Sequence, residues 1–124
     1  MRTNDAAIML ARLQAGYYLV SGVWPLLDIR TFEAITGPKA DRWLVKTVGV
    51  LVATTGAALA VAGARRRLPA ELVLVAAGNA VGLTAIDVVY VAKGRISPVY
   101  LLDAAAEVPL ALAWAWLWRR GVFS

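Results

Sequence analysis

The chain of 124 residues has no cysteine and no histidine. The first absence removes disulfides and thiolate chemistry. The second removes the commonest base at neutral pH and, with the first, the usual ligands for zinc, haem iron and copper. No catalytic residue, resident metal or cofactor is therefore expected. Charged residues make up only 17% of the chain. No phosphate-binding glycine loop or nucleic-acid motif appears, and the thirteen Lys and Arg are scattered over several loops. The net charge of +5 suits loops beside anionic lipid, with no nucleic-acid partner. What remains for chemistry is carboxyl, lysine, tyrosine and hydroxyl groups. Asp103 and Glu107 at i, i+4 are placed for acid–base work, but that spacing is common, and an enzyme is not the leading expectation.

What the chain does have is apolar length. Hydrophobic residues are 60% of it, against about 45–50% in soluble domains. They fall in four runs, roughly 6–27, 43–63, 69–92 and 98–118, each near the ~20 residues that cross a hydrocarbon core. The expectation is an all-α integral membrane protein. One transmembrane domain, residues 1–124, would form a four-helix bundle with a short interfacial helix in the 28–42 linker.

Local signals support these limits. Asn4 or Asp5 can cap the first helix, and Pro25 near its end is placed to kink it. Ile29, Phe32 and Ile35 give the linker one apolar side. Asp41 can cap the second helix, and Gly63 with Arg65, Arg66 and Arg67 suits its end. Ser97 and Pro98 start the last helix. Trp114, Trp116 and Trp118 with Arg119 and Arg120 mark its arrival at one interface, and Trp24 and Trp43 belong to the other. Asp5 and Arg12 interrupt any signal-peptide pattern, so the first helix is expected to be retained. Arg2, Arg12, Arg65, Arg66, Arg67, Arg119 and Arg120 slightly outnumber Arg30, Lys39, Arg42, Lys46, Lys93 and Arg95. That balance slightly favours cytoplasmic termini.

Helical spacing then orients the polar residues. Gln14, Tyr17, Ser21, Trp24 and Asp28 form one stripe, with Arg12 on the opposite side, where it can snorkel. Lys46 shares a face with Gly49, Ala53, Ala57, Ala60 and Ala64, which reads as a close-packing surface. Gly78 and Gly82 make a GxxxG pair, also read as packing. Asp87 shares a face with Thr84 and Tyr90. Tyr100, Asp103, Glu107 and Trp114 lie on one side of the last helix. Asp28, Lys46, Asp87 and Asp103 all fall in the half nearer the 28–42 linker, with Glu107 one turn deeper. An ionised carboxylate facing lipid costs about 2.5–3.5 kcal/mol or more, so these acids are expected to face inward. Pro109 leaves the Ala105 carbonyl without its helical partner, beside Glu107.

Two stretches, "TGPKADRWLVKTVG" and "DVVYVAKGRISPVYLLD", resemble small uncharacterised bacterial membrane proteins of this length with four spans. The resemblance implies a fold and a location but no activity. In topology alone the chain is also similar to four-helix membrane folds such as the EXPERA group and DoxX-like proteins. No site is carried over from them.

The leading expectation is a small membrane protein that binds a small hydrophobic or cationic ligand. Its pocket would be lined by Asp87, Asp103 and Glu107, with Tyr17, Ser21, Trp24, Tyr90 and Tyr100 around them and Lys46 as the structural counter-charge. Alternatives are a dimeric proton-coupled transporter and a non-catalytic accessory subunit of a membrane complex. Expected partners are the lipid bilayer, that ligand and, in the transporter reading, a second copy of the chain.

Overall fold

The computed structural model describes residues 3–121; Arg2, counted above in the charge balance, lies outside the described residues. Five helices account for nearly all of them: α1 (Thr3–Leu27), α2 (Ile29–Thr36), α3 (Arg42–Arg65), α4 (Ala70–Ala92) and α5 (Tyr100–Arg119). Among the described residues there are no strands. Three helices, α3, α4 and α5, are long and apolar enough to cross a membrane. α1 has the length, but Arg12, Gln14, Tyr17, Tyr18 and Ser21 dilute its apolar run.

α1 and α3 pack as one antiparallel pair, and α4 and α5 as another. Glycine makes the first pair close. A Cβ added to Gly22 would stand 2.6 Å from the Ala53 amide nitrogen, and one added to Gly49 would stand 2.6 Å from the Gly22 carbonyl oxygen. Gly56 meets Leu19 and Tyr18 in the same way, and Gly63 meets the stem of Arg12. Gly49, Gly56 and Gly63 recur every seven residues, which keeps a seam facing an antiparallel neighbour along its length. The predicted stripe of Ala57, Ala60 and Ala64 drifts off that seam, and Ala57 and Ala64 are exposed. Gly78 and Gly82 are corrected as well. They are exposed, and a Cβ at either would touch nothing within 4 Å, so they pack no helix within this chain.

The two pairs meet over Ala7, Ala11 and Ala15 of α1, Leu59 of α3, Val73 and Ala76 of α4, and Trp114 and Leu117 of α5. Outside, the pattern is inverted relative to a water-soluble bundle. Leu13, Val20, Leu51, Leu74, Leu102 and Leu112 are exposed, while Gln14, Asp87 and Glu107 are buried.

The ends follow local chemistry. Asp28 caps α2 by accepting from the Thr31 amide at 3.2 Å. α2 is held to α3 by the Arg42–Glu33 ion pair. α3 runs past Gly63 and ends at Arg66, which takes the left-handed conformation (φ 53°). Arg12 donates twice to the Gly63 carbonyl, at 2.9 and 3.2 Å, so it satisfies a helix end rather than pointing away from the protein. Arg66 also pairs with Asp5. Both helices that contain proline continue through it, α1 past Pro25 and α5 past Pro109.

Candidate functional site

The interior polar groups form a ladder across the seam between the two helix pairs. α1 and α5 are antiparallel, so successive turns of one face successive turns of the other. At the first rung, the Gln14 side chain is held at both ends. Its Nε2 donates to the Ala76 carbonyl at 3.0 Å, and its Oε1 accepts from Trp114 Nε1 at 2.6 Å. At the second, Tyr18 Oη donates to Glu107 Oε1 at 2.7 Å. At the third, Tyr17 Oη donates to Asp103 Oδ1. Tyr17 and Tyr18 are adjacent on α1, and Asp103 and Glu107 are one turn apart on α5, so each phenol takes one carboxyl.

Asp87 of α4 completes the group. Asp103 stands within hydrogen-bonding reach of both Asp87 and Glu107. Glu107 is fully buried and Asp87 is 3% exposed, whereas Asp103 is only half-buried. Glu107 Oε2 and Asp87 Oδ2 are buried and accept from no protein donor. Two carboxyl oxygens cannot bond each other unless a proton lies between them. An unpaired ionised carboxylate in such a place is strongly disfavoured. The cluster therefore calls for protons, or for a cation from outside the chain.

No family model, curated protein or solved structure matches this chain. What the site can do follows from its own geometry.

That geometry brings Asp87, Asp103, Glu107 and Tyr17 together as expected. Other expected members lie elsewhere. Lys46 is exposed and forms no ion pair with these acids, so the expected structural counter-charge is absent. Its position one turn into α3 lets the long side chain leave the seam that Gly49 occupies. Asp28 is spent on capping α2. Ser21 Oγ donates back to the Tyr17 carbonyl of its own helix. Trp24 bonds Thr31 Oγ1 and packs edge-on against Phe32, at the α1–α2 corner. Tyr90 is 39% exposed, with Lys93 Nζ 5.6 Å from its ring centre. Tyr100 is half-buried one turn before Asp103, and Lys39 Nζ lies 4.9 Å from its ring centre.

Three participants were missed. Tyr18 lies beside the stripe drawn through Tyr17, yet it follows Gln14 by four residues and shares its face. Helical spacing puts Gln14 on the interior face but does not disclose its partners. Lys39 reads from the sequence only as a loop charge. Among the described residues no group of acids has the geometry of a metal site. A separate apolar groove of about 300 Å³ between α4 and α5 is lined by Val81, Thr84, Ala85, Val108, Ala111 and Leu112, with no carboxyl among them.

Proposed function

We propose that this chain is a four-span protein of a bacterial cytoplasmic membrane, termini inside, that binds a small organic cation at its carboxyl cluster. The observation that carries the reading is the meeting of Asp87, Asp103 and Glu107 with two buried carboxyl oxygens accepting from no protein donor. Intramembrane acids mark ligand or ion sites by default, and a basic partner within the protein is the ordinary alternative. Lys46 does not supply that partner here. Tyr17 and Tyr18 leave one oxygen of their carboxyls free for an ammonium donor, and the rings offer faces to its apolar part. α1 spans with the others because its polar residues turn inward, leaving Leu13 and Val20 on the outer surface.

The test is calorimetric titration of the full chain in lipid nanodiscs with benzylammonium and with tetraphenylphosphonium. Saturable binding of either is expected. Glu107→Gln with Asp87→Asn weakens it by about tenfold or more, roughly 1.4 kcal/mol, and Lys46→Ala leaves it unchanged. Equal affinity for a neutral isostere, benzyl alcohol, overturns the reading. So does co-purification with a partner complex together with a silent Glu107→Gln.

A second reading, a proton-coupled transporter working as a dimer, is favoured by one observation. Gly78 and Gly82 present an open small-residue face on α4, the kind of surface on which membrane helices pair. Disulfide cross-linking of a single Gly78→Cys variant between copies is its check.

A further inference from the structure

The ladder is not symmetrical between its two ends, and this bears on how the cluster is reached. At the end nearer α2, Asp103 is half-buried and lies within reach of both Asp87 and Glu107. Tyr100, one turn earlier, is also half-buried. Toward the other end, the groups beyond Glu107 are Tyr18, Gln14 and Trp114, all fully buried. The Gln14 amide is committed at both ends, to the Ala76 carbonyl and to the indole of Trp114. A carboxyl can take a proton on one oxygen and release it from the other. A primary amide and an indole N–H have no comparable route near neutral pH.

We infer that the cluster exchanges protons with the α2 side alone, Asp103 loading Glu107 while the Gln14–Trp114 pair blocks passage to the opposite side. This rests on the carboxyl-cluster reading but not on any organic ligand. In the first step an O–H bond of a hydronium ion on the α2 side breaks and one forms on the Asp103 carboxylate, leaving water. In the second that O–H breaks and a new one forms on a Glu107 carboxylate oxygen, so Asp103 is again a carboxylate and one proton has moved inward. Asp87 is the side branch of the same exchange. The phenols of Tyr17 and Tyr18 keep their protons and hold the carboxyls in register.

The groups facing this path are few. α1 contributes Tyr17, Tyr18 and Gln14; α4 contributes Asp87; α5 contributes Asp103, Glu107 and Trp114. α2 and the turn after it contribute Lys39, which is held over Tyr100 and by the Thr36 carbonyl. On α3, Lys46 is exposed and pairs with none of the acids. Asp103 is therefore the partly accessible acid of the cluster.

Rapid-scan infrared spectroscopy of the full chain in bilayers, after a pH jump, tests the first half. The carboxylic C=O band lost in Glu107→Gln reports Glu107. Asp103→Asn is expected to slow its response by about tenfold or more, and Asp103→Glu to restore it. An unchanged rate in Asp103→Asn overturns the inference. If that variant does not fold, the plug still decides: proton conduction by the unaltered chain, or no leak in Gln14→Glu, overturns the inference. Proteoliposomes with an internal pH dye test the plug. The unaltered chain is expected to pass no protons. Gln14→Glu, which puts a transferable proton at the plug, opens a leak that Asp103→Asn closes. Proton conduction by the unaltered chain, or a Gln14→Glu leak indifferent to Asp103, overturns the inference. Loss of amine binding with Glu107 titration intact would remove the cation reading and support the proton route as independent of it.

Discussion

At the scale of single residues, the site depends on two tyrosines that are neighbours in sequence but not equal in effect. Tyr18 is fully buried and its partner Glu107 is fully buried, whereas Tyr17 and Asp103 are both half-buried. Interhelical hydrogen bonds in membranes average about 0.6 kcal/mol. Removing a donor from a buried acceptor costs more, about 1–3 kcal/mol. Tyr18→Phe is therefore expected to lower stability by an amount near the upper range, and Tyr17→Phe by less, measured by denaturant unfolding in detergent. Equal losses would contradict the burial difference. The residues also show what a sequence can and cannot disclose. Asp87, Asp103, Glu107 and Tyr17 were legible because an acid in an apolar helix has few tolerable directions. Ser21 and Trp24 share the helical stripe, yet each satisfies its polar group locally, on the helix backbone or on α2. Helical spacing fixes direction, not partner. Lys46 fails for a related reason: a long flexible side chain near a helix end need not follow the direction of its Cα.

At the scale of helices, the α1–α3 seam is the most exacting contact in the molecule. The Cβ introduced by Gly22→Ala would meet backbone atoms of Gly49 and Ala53 at 2.7 and 2.6 Å, and backbone has no rotamer by which to yield. A loss of about 1–3 kcal/mol is expected. Gly63→Ala would meet mainly the stem of Arg12, and Gly82→Ala meets nothing within 4 Å. The Arg12 Cγ that Gly63→Ala would meet, at 2.7 Å, lies near the root of a side chain whose far end is held by the Gly63 carbonyl, so this variant is expected to cost about 1 kcal/mol, and Gly82→Ala to be neutral or slightly stabilising by helix propensity. Thermal melts of the three variants, in the same detergent, give the ranking. Helix limits were readable to within a few residues, including the short linker helix, because proline, glycine and charge punctuate the apolar runs. Which glycines form the seam was not readable. Gly56 and Gly63 matter through what α1 places opposite them, and GxxxG spacing at Gly78 and Gly82 implies a neighbour that this chain does not provide.

For the whole molecule, the proposed four crossings with cytoplasmic termini make a direct prediction. The chain has no cysteine, so single thiols can be introduced without background. Arg67→Cys, in the turn between α3 and α4, is expected to resist a membrane-impermeant maleimide added to intact cells, and Arg95→Cys, between α4 and α5, to react. The reverse pattern would invert the orientation and move the proton-accessible mouth to the cytoplasm. α1 carries Arg12, Gln14, Tyr17, Tyr18 and Ser21 within its apolar run, yet its polar side is covered by α4 and α5 and its close-packed face by α3. In the proposed four-span arrangement it crosses only as part of the assembly.

The division into two helix pairs has a mechanical consequence. Within the α1–α3 pair the backbones nearly touch at Gly22 and Gly49, so backbone contact opposes any sliding of one helix on the other. Between the pairs lie small alanines and the ladder from Gln14 to Asp103. The bonds that poise the acids are thus the same bonds that clasp one half to the other. A proton or cation that alters the bonding of Glu107 or Asp103 also changes the grip between the halves. By the same thermodynamic linkage, rocking one half against the other changes how tightly that occupant is held.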